Sequence, residues 1–216
     1  MESCATLLES CDSKPNEEDT MLKVKYFSRR LVTGAVVALV ACALLVGATV
    51  PRGWFLAGTK PAEYQAGVDA DQLHQGHSSA FLKSKTQSVD GFGTLMQSIR
   101  AEQYKGKRVR LSGFVKSQGV VSWAGLWMRV DQGKDMVAMD NMQDRPVKGT
   151  TDWHRHDVVL NVPPDSTGIS FGILLDGAGE VWLSSTKFDV VGADVPVTGA
   201  ADKKTSHNPV NLDFTE

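Results

Sequence analysis

The chain has 216 residues, 42% of them hydrophobic and 22% charged, with a formal net charge of -2. That length supports one hydrophobic core plus extensions. The near-neutral balance, with no basic face concentrated anywhere, excludes a nucleic-acid footprint on charge grounds, so no nucleic-acid partner is expected.

Cys4, Cys11 and Cys42 are the only cysteines, and all lie within or before an N-terminal apolar run. The remainder therefore holds no disulfide, cysteine zinc site or cysteine nucleophile and must be stabilised by core burial. Residues 1–30 are read as a cytoplasmic N-terminal segment. Residues 31–50, LVTGAVVALVACALLVGATV, carry no charge and are long enough to cross a ~30 Å hydrocarbon core as a helix. Arg29 and Arg30 precede this run directly, Lys23 and Lys25 are close by, and Arg52 alone comes directly after it. The positive-inside rule then puts the C-terminal domain on the extracytoplasmic side of a single-pass membrane protein. If Met21 is the start, a basic n-region and Val46-Gly47-Ala48 make the run a cleavable signal peptide and the domain a secreted one. Ser28 to Val32 is a loose twin-arginine pattern, and Leu39 to Cys42 resembles a lipobox. Each alternative exports the C-terminal domain.

Beyond the apolar run, most of the pattern has period 2. Phe92, Leu95, Met96 and Ile99 form an exception at helical spacing, which predicts a short helix in GTLMQSIRAEQY ahead of the first clear strand. Residues 107–116 then alternate, with Val109, Leu111 and Val115 on one face and Arg108, Arg110 and Ser112 on the other. Residues 125–131 repeat this with Leu126, Met128 and Val130 inward, and residues 157–162 with Val158, Leu160 and Val162. Ile169, Phe171, Ile173 and Leu175 continue the series, succeeded by 181–183 and by Phe188 and Val190 around Asp189. Asp176-Gly177 and Pro163-Pro164-Asp165 supply the turns. The pattern predicts an all-β, antiparallel β-sandwich over residues 54–195, one N-terminal transmembrane or signal helix before it, and a flexible C-terminal tail over 196–216.

The order GTLMQSIRAEQYKGKRVRLSGFVK, WAGLWMRVD, GTTDWHRHDVVLNVP, ISFGILLDGAGEVWLSSTKFDVV resembles the body of a jelly-roll module of the carbohydrate-binding, galactose-binding-like kind. WFLAG, YQAGVD and HSSAFLKS resemble its opening strands. The resemblance implies a jelly-roll fold and a non-catalytic module of the type appended to bacterial envelope proteins and enzymes. Such modules often hold a structural calcium between first and last strands, using acidic residues. Here Ser184 and Ser185 stand where an acidic residue or pair is usual, so no metal and no cofactor is expected.

Trp123, Trp127, Trp153 and Trp182 are the aromatics suited to sugar stacking, because a flat indole matches the C–H face of a pyranose. Trp127 and Arg129 fall out of phase with Leu126, Met128 and Val130, and Trp182 out of phase with Val181 and Leu183, so together they are expected to line one sheet face. Asp140 and Asn141 add hydrogen-bonding groups at a loop rim, with Gln143 and Arg145 nearby. A packing role for the tryptophans and a turn role for Asp140 and Asn141 are the competing expectations.

His154 and His156 share a strand face, in phase with Val158. Without further ligands they are expected to pack at the sandwich edge rather than bind metal. The basic group Lys105, Lys107, Arg108 and Arg110 reads as charge on an exposed strand face. The paired acids Asp140 and Asp144 have no motif to make them catalytic, so no catalytic residue is assigned. The sequence expectation is an exported, membrane-anchored binding module for a glycan; the alternative is an envelope scaffold that contacts another protein.

Overall fold

The computed structural model describes residues 49–199. The cytoplasmic segment, the membrane or signal helix with its cleavage and lipidation motifs, and most of the expected tail lie outside the described residues. Among the described residues, no helix is long and apolar enough to cross a membrane.

Nine strands succeed one another: β1 (Phe55–Gly58), β2 (Tyr64–His74), β3 (His77–Ser84), β4 (Phe92–Arg100), β5 (Arg108–Gln132), β6 (Asp135–Asp140), β7 (Val147–Asn161), β8 (Gly168–Asp176) and β9 (Glu180–Val191). A 3-10 turn, Pro61–Glu63, separates β1 from β2. All pairings are antiparallel. The main path through the sheet runs β1-β4-β8-β5-β9-β3-β2, and β6 and β7 also pair with β5.

The sheet curls because β5 is 25 residues long and changes partners along its length. Residues 108–118 pair with β9, whereas residues 123–131 pair with β8. One layer therefore contains β2, β3, β9, the first part of β5 and β7. The other contains β1, β4, β8, the second part of β5 and β6. Phe171 of β8 and Phe188 of β9 meet across the interior with ring centroids 4.9 Å apart.

Strand alternation explains the core. Val130, Met128 and Leu126 share rungs with Ile169, Phe171 and Ile173, and all are buried. Val109 and Leu111 share rungs with Leu160 and Val158, also buried. Those expected inward positions are therefore the real ones.

The helix expected around Phe92 to Ile99 is corrected: FGTLMQSIR is strand β4, bonded to β1 on one edge and β8 on the other. The register puts Leu95 and Ile99 opposite the inward Ile173 and Ile169. Met96 lies opposite Gly172 and Phe92 opposite Asp176, so the apparent helical stripe is divided between two faces. Ladder bonds on both edges outweigh the local period.

Tyr64 secures the corner between the layers. Its ring occupies the space beside Gly93, where a Cβ would lie 2.5 Å from the ring. Its buried hydroxyl reaches the carbonyl oxygens of Gly91 at 2.9 Å and Gly177 at 2.8 Å. Burial, together with nearby Asp176, pushes its pKa to about 12, so this hydroxyl remains a donor at neutral pH.

Candidate functional site

The expected site residues do not converge. Trp127 and Arg129 lie on the second part of β5, opposite Gly172 and Ser170 of β8. Trp182 lies in the other layer, opposite Lys116 of β5 and Phe81 of β3. Trp127 is 6% exposed and Trp182 4%, so neither offers an indole face to solvent. The Trp127 indole N–H donates to Thr94 Oγ1 at 2.7 Å. The Trp182 indole N–H donates to Asp69 Oδ2 at 2.9 Å. That bond, with the Asp71 and Gln72 amides, offsets the effect of burial and holds the Asp69 carboxyl below its usual range. Arg129 is paired with Asp131 at 3.0 Å. Trp123 is half-buried opposite Asp176, and half-buried Trp153 packs against His74, with ring centroids 5.2 Å apart.

Asp140 and Asn141 organise the turn after β6. Asp140 Oδ1 accepts the Met142 N–H at 2.9 Å, and Asn141 Oδ1 accepts the Gln143 N–H at 3.2 Å. Both bonds match the Asx-turn pattern. Met142, with φ 60°, occupies the left-handed region. Arg145 holds Asp140 through two guanidinium nitrogens and also donates to the Asp157 carbonyl of β7 at 3.2 Å. Burial alone would raise the Asp140 carboxyl, but the hydrogen bonds from Arg145, Thr198 and Met142 keep it below the ordinary carboxylate range. These contacts brace the edge strand. Thr198, within the expected tail, exchanges backbone and hydroxyl bonds with Val159.

His154 is exposed and His156 half-buried. Burial disfavours the His156 imidazolium, nearby His154 and Arg145 act in the same direction, and Asp157 opposes them; the net effect lowers its pKa. Among the described residues, no three His, Cys, Asp or Glu side chains gather in a way that could hold a metal ion.

A groove does form where sequence reasoning placed none. On the outer face of the β7–β5–β9 layer, the register stacks three rungs: Val159, Arg110, Asp189; then Asp157, Ser112, Lys187; then Arg155, Phe114, Ser184. Successive rungs lie about 6.6 Å apart along a strand, and neighbouring strands about 4.8 Å apart. Between the second and third rungs β9 carries an extra residue, a bulge that keeps both Ser184 and Lys187 on this face. Ser185, in the bulge, has φ 53°, a left-handed conformation that strains a residue with a side chain and is held by its surroundings.

The β2–β3 hairpin closes one end of the groove. Gln75 and Gly76, at φ 52° and 81°, make its tight turn. His74 stacks on Phe114 at 4.1 Å between centroids, and its Nδ1 lies 3.4 Å from Ser185 Oγ. Gln75 and His77 then join Arg110, Arg155, Lys187 and Asp189 in lining a cavity of about 510 Å³. Arg110 is loosely held: its guanidinium is 3.5 Å from Asp189, and its Nε is buried without a hydrogen-bond partner. Arg155 lies 3.2 Å from Asp157. Lys187 is exposed and makes no ion pair among the described residues. Arg108, from the same basic group, is instead tied to Asn161 and to the carbonyls of Ala193 and Val195.

Strand order and groove together define an all-β domain built on a curled antiparallel sheet, with a cationic depression on one face. No protein-family model matches the chain. It is 44% identical over 168 residues to an uncharacterized HTH-type transcriptional regulator, YbfP, of Bacillus subtilis (strain 168); the match spans 76% of this chain and 57% of that protein. The chain thus spans little more than half of the relative's length. Among solved structures, the enzymatically active domain of bacteriophage CBA120 tailspike protein 4 aligns with TM-score 0.52 and 16% identity, over 65% of this chain and 20% of that one. The CBM22-1 xylan-binding domain of Paenibacillus barcinonensis Xyn10C aligns with TM-score 0.47 and 20% identity, over 68% of this chain and 90% of that one. Neighbours of this fold thus include carbohydrate-binding modules, and at such identities the likeness concerns the fold alone.

The similarity to a regulator corrects the expected function. The expectation of an exported, membrane-anchored binding module is therefore set aside.

Proposed function

We propose that residues 49–199 form the ligand-responsive, non-catalytic domain of a protein that controls transcription. The 44% identity to an HTH-type regulator is the observation that carries this reading. A helix-turn-helix needs two packed helices, one of them in the major groove, whereas residues 49–199 are organised as strands. The reading therefore gives these residues the sensing role and assigns DNA contact to a part of the regulator outside them. Nucleic acid, set aside on charge grounds, returns as a partner of the regulator as a whole. The expected jelly-roll arrangement belongs to the same reading and is supported by β5 serving both layers and by the Phe171–Phe188 contact.

Transcript profiling of the host tests the proposal. Deleting the gene is expected to change a discrete set of transcripts that the wild-type chain restores. An unchanged profile after deletion refutes the regulator reading.

A further inference from the structure

We propose that the groove between β5, β7 and β9 binds a small hydroxylated organic anion with a carboxylate or phosphate head; its use as an effector rests on the regulator reading, but its binding does not. Three cations, Arg110, Arg155 and Lys187, reach the groove from three different strands. Asp157 and Asp189 oppose them, which leaves a surplus of positive charge. A guanidinium Nε that is buried without an acceptor is unfavourable as it stands, so Arg110 is weakly committed to its present partners. The long contact to Asp189 leaves the fork of Arg110 free for an acceptor in bidentate geometry.

The remaining walls select what the head is attached to. Ser112, Ser185 and Thr186 present hydroxyls, while Asp189 accepts from a ligand hydroxyl and Phe114 gives an apolar floor. A volume of about 510 Å³ suits a small metabolite. The hairpin tip at Gln75 and His77 closes one end, a shape that holds a compact ligand and blocks a continuous duplex. The bulge at Ser185 belongs to the site: in a regular strand Ser184 and Lys187, three residues apart, would point to opposite faces of the sheet, and the bulge puts both on this one.

Calorimetric titration of the full chain tests this with glycerol 3-phosphate, tartrate, inorganic phosphate, glycerol and a 20-base-pair duplex. At least one of the two hydroxylated anions is expected to bind tenfold or more tighter than glycerol, and tighter than phosphate alone. Arg110→Met and Lys187→Met are each expected to weaken that binding by about tenfold or more. Asp189→Asn is expected to tighten it a few-fold by removing the competing carboxylate. Lys187 is exposed, so its replacement keeps the test valid even if Arg110→Met folds poorly, and unfolding midpoints without ligand check both variants. The proposal fails if glycerol or phosphate binds as tightly as both hydroxylated anions, or if Lys187→Met binds like wild type. It also fails if the duplex is what these residues hold. Anion binding with an unchanged transcript profile would refute the regulator reading and leave the site standing.

Discussion

Replacing Asp140 by Asn tests whether this carboxylate is a structural brace. Its side chain is 2% exposed, accepts the Met142 N–H, and holds two nitrogens of Arg145. Asn retains an oxygen for Met142 but loses the charge that faces the guanidinium. Breaking a fully buried pair from one side costs about 3–5 kcal/mol. Arg145 is 34% exposed, so water resolvates part of it and reduces the cost to about 2 kcal/mol. In a domain of this size that is a fall of about 4–8 °C in Tm. The Asp140 carboxyl is held below its unfolded value, so its contribution is fully present above that unfolded value and disappears as pH falls through the folded one. Urea denaturation monitored by tryptophan fluorescence, at pH 7 and then stepwise to pH 3, should show a gap between wild type and Asp140→Asn that closes in acid. A gap under about 0.5 kcal/mol at pH 7, or one independent of pH, refutes the reasoning. Because Arg145 also holds the Asp157 carbonyl, the variant should additionally loosen the strand that carries Arg155.

Trp182→Ala should destabilise the fold by about 3–5 kcal/mol, the range for deleting a buried aromatic; a urea midpoint close to wild type would contradict the placement of that indole. His156→Gln should flatten the pH dependence of stability. His156 has a folded pKa below its unfolded value, so the wild type loses stability as pH falls from about 6.5 toward that lower value. Unfolding curves between pH 8 and pH 5 that keep the same slope in His156→Gln would refute this.

Much of the sheet is legible in the sequence because inward residues repeat at i+2, as in Val109 and Leu111 or Ile169, Phe171, Ile173 and Leu175. The stretch from Phe92 to Ile99 misleads because four apolar side chains divided between two faces of β4 mimic a helical stripe. The groove is illegible for a different reason. Arg110 and Asp189 are rung partners although they are far apart in the chain, and Arg155 joins them through a third strand. The bulge at Ser185 shifts which residues of β9 face outward, and no local motif announces it. In the sequence Arg110 is one member of a basic run, and only its unpartnered Nε separates it from Arg108, whose donors are spent on Asn161 and on the turn after β9.

A single strand common to both layers leaves the domain without a seam. β5 exchanges main-chain bonds with β6, β7, β8 and β9, so neither layer can peel away while the other stays intact. Loss of order should therefore spread through the whole body at once, as a zip torn from its middle opens toward both ends.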